Sequence, residues 1–203
     1  MVRFDLDSGQ PLAVSPIRAR SAGIEVIHHP DGWVGLSEGE GQDAAQAWWV
    51  RSAGQPSGEI GIEVLGGGWK SWIFGDVCPS GSKIITTPHL FGGPMLVRSF
   101  PSLEVVRSIE PPPGEGWIER AFFAGEMIVG GLQQQEGRFV AVSPDGRIVD
   151  LDQADALYLA PAGHGTWIAV TSNTIRRCRM TGREEEIAAE GLDEEIPGQM
   201  TLW

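Results

Sequence analysis

The sequence predicts an all-β chain of repeated four-stranded antiparallel units, and three observations carry that expectation. Short apolar runs alternate with turn residues along most of the 203 residues, without a sustained helical period. Glycine (28) and proline (14) are spread throughout, so they punctuate short elements and do not form a disordered tract. Two series of turns keep step: one centres on Gly32, Gly81, Gly125 and Gly165, at spacings of 49, 44 and 40, and the other on Gly9, Gly58, Ser102, Gly146 and Gly182, at spacings of 49, 44, 44 and 36. A period of roughly 40 to 45 residues fits a repeat that buries its apolar faces by stacking on its neighbours.

Each element follows from local pattern. In Val2-Arg-Phe-Asp-Leu-Asp7, apolar and polar residues alternate as in a half-buried strand, and Ser8-Gly9 turns it toward Pro11 to Val14. With the strands of a unit lettered a to d, this hairpin supplies c and d. The first full unit has Ile24 to Ile27 and Trp33 to Leu36 about Pro30-Asp-Gly32, then Ala47 to Val50 and Ile60 to Leu65. Gly66-Gly-Gly68 links it to the second, with Trp72 to Val77 and Lys83 to Thr87 about Pro79-Ser-Gly81, then Met95 to Phe100 and Leu103 to Ile109. Pro111-Pro-Pro113 ends that unit, because proline removes the ladder donor. The third has Trp117 to Phe123, Met127 to Leu132, Phe139 to Val142 and Arg147 to Leu151; the fourth has Ala156 to Leu159, Trp167 to Thr171, Thr174 to Met180 and Arg183 to Ala188.

The c-to-d hairpins VRFDLDSGQPLAV, FVAVSPDGRIVDL and IRRCRMTGREEEI, with the a-to-b turns HPDGWVG and CPSGSKI, carry a resemblance. The chain resembles a β-propeller of the broad class that includes WD-repeat and quinoprotein-type proteins. The resemblance implies one domain over residues 1–203, of about five four-stranded blades with a shared or incomplete terminal blade. It also implies a binding face made by the d-to-a and b-to-c connections. Those connections hold Trp69, His89, Phe91, Trp117, Gln133, Gln134 and Asn173, the candidate binding residues. Trp33, Trp72, Trp117 and Trp167 each start a strand a or b, a repeated placement that also suits packing between blades.

A net charge of −12 opposes nucleic-acid and anionic-membrane partners, which are bound largely through positive fields. Cys78 and Cys178 form no disulfide framework and have no second cysteine at metal-ligand spacing, so buried, reduced thiols are expected. The first residues lack an apolar signal region, and no run approaches a membrane span; a cytoplasmic protein is the expectation.

Chemistry-bearing patterns are sparse. His28, His29 and His164 fall in or beside a-to-b turns while His89 follows a strand b, which suits solvated turn residues better than a metal site. No Gly-x-Ser-x-Gly elbow occurs, Gly66 to Gly68 lacks the Lys and Ser or Thr of a phosphate loop, and only Thr166-Trp167 matches a sialidase-type turn. With 27 acids, a glycosidase pair is arithmetically easy and unidentifiable. Arg176, Arg177 and Arg179 are expected to pair with nearby acids, and the acidic stretch from Glu184 to Glu195 to form a solvated edge or a surface for a basic partner. The expectation is a non-catalytic interaction module or assembly subunit without catalytic residues, cofactor or metal. Its partner is another protein, with a second copy joined through an open edge strand as one form. The alternatives are a sugar-binding or glycoside-active five-bladed propeller, and an incomplete propeller completed by self-association or a partner chain.

Overall fold

The computed structural model describes residues 2–4, 11–14, 24–40, 44–53, 61–67, 72–89, 92–133, 137–151, 153, 155–181 and 188–192. Their regular structure is all strand. A hairpin of β1 (Val2–Phe4) and β2 (Pro11–Val14) precedes four four-stranded sheets. The first holds β3 (Ile24–His28), β4 (Trp33–Glu40), β5 (Ala44–Ala53) and β6 (Gly61–Gly67). The second holds β7 (Trp72–Val77), β8 (Lys83–Pro88), β9 (Met95–Ser99) and β10 (Val105–Ile109). The third holds β11 (Ile118–Ala124), β12 (Met127–Leu132), β13 (Phe139–Val142) and β14 (Ile148–Leu151). The fourth holds β15 (Tyr158–Gly163), β16 (Thr166–Val170), β17 (Ile175–Thr181) and β18 (Ala188–Leu192). In every sheet the spatial order of strands is the chain order, so each is a meander. Among the described residues no helix is long and apolar enough to cross a membrane.

The a-to-b turns fall where the glycine spacing puts them. Gly32, Gly81, Gly125 and Gly165 have φ of 82°, 73°, 67° and 74°, the left-handed values that glycine adopts without steric cost. A β-carbon on Gly125 would sit 3.3 Å from the Cα of Gly165, so these two turns of the third and fourth sheets touch through their backbones. Gly125→Ala is therefore expected to cost about 1–2 kcal/mol, mostly from the left-handed φ; chemical denaturation of the variant measures it.

Two strands of the fourth sheet depart from the expectation. β15 starts at Tyr158, not Ala156, because Gln153 N–H donates to Leu151 O and Ala156 N–H to Gln153 O, each at 2.8 Å, holding the chain in a turn up to that point. The outer strand is Ala188–Leu192, not Arg183 to Ala188; its register puts residue 190 opposite Arg179. The connection 182–187 and the end of the acidic stretch, 193–195, lie outside the described residues.

The chain divides into two compact units, Met1–Gly92 with Val97–Arg107, and Gly93–Leu96 with Ser108–Trp203. In the first, Trp33, Ala47, Trp49, Phe74, Val77 and Ile84 form a buried cluster from the first two sheets. β4 approaches its neighbours closely because Gly35 has no side chain: a β-carbon there would lie 2.7 Å from Ile27 Cγ1 and 3.1 Å from the Phe74 ring. In the second, Phe122, Val129, Leu151, Leu159 and Trp167 belong to a cluster drawn from the third and fourth sheets. Trp33, Trp117 and Trp167 are buried and Trp72 is half-buried, which fits their packing role.

His29 departs from the expectation of solvated turn histidines, since it is buried. Asp31 N–H donates to its Nδ1 at 3.0 Å, so Nε2 carries the proton and donates to Gly81 O at 2.6 Å. The ring also lies against Phe100, with centroids 4.0 Å apart. Both nitrogens are occupied by backbone partners, and neither is left for a metal. His28 and His164 are exposed.

Candidate functional site

The sequence-predicted binding residues are not gathered into one place. His89 is half-buried at the end of β8, in the first unit. Trp117 and Asn173 belong to the second: Trp117 is buried beside β11 and its carbonyl accepts from Gln133 N–H at 3.0 Å, whereas Asn173 is exposed in the β16–β17 turn. Trp69, Phe91 and Gln134 lie outside the described residues. Of the wider set, Gln133 lines a groove of about 530 Å³ in the second unit.

That groove is the candidate site. It lies where the β12–β13 and β14–β15 connections meet, the b-to-c and d-to-a end of these two sheets. Gly130 and Gly131 of β12, Phe122 and Phe139, and Ala156, Leu157 and Tyr158 line it. Glu119, Arg120, Arg138 and Asp155 supply the charge around it.

The lining at Gly130 follows from a bulge in β11. Glu119 pairs with Gly131 and Phe122 with Val129, so Arg120 and Ala121 together oppose Gly130. A two-against-one bulge redirects the side chains next to it. Arg120 takes a φ of 49°, a left-handed value that a side chain with a β-carbon adopts only at a cost. Gly130 must be glycine at this crowded point, because a β-carbon would meet Ile118 Cγ2 at 2.6 Å, Glu119 O at 3.2 Å and Ala121 Cβ at 3.3 Å. Gly130→Ala is expected to destabilise by about 1–3 kcal/mol through overpacking, read by thermal and urea unfolding.

Charge around the groove divides into held and unheld groups. Arg138 donates to Glu115 Oε1 at 2.6 Å and to Asp150 Oδ2 at 2.7 Å, and these hydrogen bonds hold its guanidinium above its ordinary pKa, Asp150 contributing most. Arg176 grips both oxygens of Asp155 at 2.5 Å, which bears out acid pairing for that member of the arginine cluster. Arg177 instead donates to Ala162 O and Thr166 Oγ1, each at 3.3 Å. The side chains of Glu119 and Arg120 make no ion pair or hydrogen bond among the described residues. Leu157 is 71 % exposed and Tyr158, the chain's single tyrosine, 47 %. Exposed Leu157 and Tyr158, Gly131 and an Arg120 without a side-chain partner among the described residues thus line one groove.

Alternation along β11 carried a signal for this site. Glu119 and Arg120 are adjacent polar residues between Ile118 and Ala121-Phe122, and that interruption of the period of two marks a bulge. Ser143-Pro-Asp-Gly146 is instead a structural turn. Gly146 N–H donates to Ser143 O at 2.9 Å, and the Ser143 hydroxyl donates to Asp145, holding that carboxyl below its ordinary pKa.

The two cysteines are free and buried, as expected of packed thiols. Burial raises the Cys78 pKa, but donors from Ser80, Ser82 and Lys83 N–H outweigh it, and the thiol is held below its ordinary value. Burial raises Cys178, with Arg176 opposing only in part. Cys78 therefore favours folding at pH values above its unfolded pKa, and this contribution is lost as pH falls through the folded one. Cys178 acts oppositely, its contribution being present below its unfolded pKa and lost as pH rises through the folded one. In a 240 nm thiolate titration, Cys178→Ser, which retains Cys78, should ionise at lower pH than Cys78→Ser.

No family model matches the chain, and no curated protein is similar to it in sequence. A crystal structure of a functionally unknown protein from Desulfotomaculum acetoxidans DSM 771 is similar in fold, with a TM-score of 0.56 and 14% sequence identity. The match covers 93% of this chain and 61% of that one, so this chain spans about three-fifths of the length of that structure. At this identity the likeness concerns fold alone.

Proposed function

We propose that the chain is a β-propeller-type repeat protein acting as a non-catalytic interaction module, and that it receives a segment of another protein in the groove between its third and fourth sheets. The observation that carries this reading is the pairing of exposed Leu157 and Tyr158 with the unheld Arg120 around one cavity. Aromatic residues and arginine are enriched among interface anchors, whereas an isolated exposed leucine would need no explanation. The four meanders, with equivalent glycines at the a-to-b turns, are the features that favour a propeller arrangement.

Gly131→Leu tests the site. A β-carbon at Gly131 would lie at ordinary contact distance, 3.6 Å, from the Phe139 ring on the groove side, so a longer side chain enters the cavity without backbone strain. Wild-type bait should retain a protein from its source lysate that Gly131→Leu bait of equal melting temperature does not. Equal retention by both baits contradicts the site.

A second reading, self-association through an open edge, is favoured by exposed Ile24 and Val26 on β3 and exposed Val105 and Val106 on β10, both terminal strands of their sheets. It requires a sedimentation mass above that of the monomer, and Val106→Lys should restore the monomer.

A further inference from the structure

We infer that the groove recognises the carboxyl terminus of a partner chain that ends in an apolar residue, with the terminal carboxylate on Arg120 and the last side chain in the space beside Gly131, against Tyr158. The inference rests on the interaction reading above and specifies what the site selects.

Four observations on the second unit lead there. Arg120 is the cation on the groove whose side chain has no partner among the described residues, whereas Arg138 is already bound by two carboxylates. Its backbone is held at a φ of 49° in the bulge that lines the groove, a left-handed value kept at a residue with a side chain. The groove of about 530 Å³ falls within the range of small-molecule pockets, which suits a chain end better than a long segment. Gly131 leaves groove space beside the Phe139 ring without a side chain, and Leu157 and Tyr158 add exposed apolar surface to the lining.

Charge decides between an acid-rich segment and a chain end. The chain carries −12, so a run of acidic residues is repelled by the whole molecule, while a single terminal carboxylate brings one charge to Arg120. A terminus also places that charge directly beside its last side chain, and guanidinium with carboxylate gives the stronger, charge-assisted hydrogen bond. Glu119, adjacent to Arg120 and likewise unheld, disfavours a second acid nearby.

The single tyrosine makes the test direct, because protein grown with 3-fluorotyrosine has one ¹⁹F resonance, at Tyr158. The probes are N-acetylphenylalanine, its uncharged amide, and N-acetyl-Phe-Glu-amide, whose carboxylate is on a side chain. N-acetylphenylalanine should shift the resonance saturably, and the amide should bind about tenfold or more weakly, as expected for loss of a charged hydrogen bond. Arg120→Gln should bring the acid to the affinity of the amide without lowering the melting temperature, since the side chain has no partner among the described residues. Gly131→Leu should abolish the shift. Equal affinity for acid and amide, no effect of Arg120→Gln, no shift with any probe, or N-acetyl-Phe-Glu-amide binding as tightly as N-acetylphenylalanine would each overturn the inference. Any of those results together with Gly131-dependent retention of a partner overturns the terminal-carboxylate inference alone and leaves the interaction module standing.

Discussion

Trp167→Ala is expected to destabilise the second unit by about 3–5 kcal/mol, the range for truncating a fully buried tryptophan. Trp167 has no solvent exposure, and the cluster around it draws Phe122, Val129, Leu151, Leu159 and Cys178 from both sheets of that unit. Its removal leaves a cavity lined by strands whose own hydrogen bonds resist collapse. Trp167→Phe separates packing from polarity. The buried indole Nε1 has no hydrogen-bond partner among the described residues, so phenylalanine gives up volume but also removes a donor unsatisfied there. The phenylalanine variant should lose about 1–2 kcal/mol, less than the alanine variant. Urea unfolding followed by circular dichroism measures both; equal losses would mean that the indole nitrogen is hydrogen-bonded after all.

His29→Leu is expected to cost about 2–4 kcal/mol, although leucine is close in size and more apolar. The substitution leaves the Gly81 carbonyl and the Asp31 N–H without their partner; Gly81 is buried, so its carbonyl costs on the order of 1–3 kcal/mol, and the exposed Asp31 less. The Phe100 contact is also weakened. His29→Gln, which keeps a donor and an acceptor, should recover part of the loss. A leucine variant as stable as wild type would show that water replaces the imidazole. His29 joins the first a-to-b turn to the second, so the variant also tests whether adjacent repeats are coupled through their turns.

The repeat was legible because it rests on local chemistry. Gly32, Gly81, Gly125 and Gly165 occur at a nearly regular interval, and each has the left-handed φ that a tight hairpin requires. Strands β7 and β12 fall where alternation and bracketing turns put them. The boundaries of β15 and β18 did not follow, because pairing partners decide them: Ala156 and Leu157 are apolar enough for a strand, yet the turn at Gln153 keeps them out. That shift is why Leu157 is exposed. The end of the sheets bearing the groove was also legible, through the b-to-c and d-to-a connections that hold Gln133. Its decisive residues were not. Arg120 depends on a bulge opposite Gly130, and Arg138 and Asp155 were neutralised by Glu115, Asp150 and Arg176, partners 12 to 23 residues away. His29 was misjudged for a similar reason, since its second partner, Gly81, lies 52 residues further on.

The central claim is that binding occurs in the groove of the second unit and not at the apolar edges of the first. Amide hydrogen exchange, with and without a saturating amount of the retained partner, tests it most directly. The account predicts slowed exchange at residues 118–122, 137–139 and 155–159, with β3 and β10 unchanged. Protection confined to β3 or β10, with the groove exchanging as in the free protein, would contradict it.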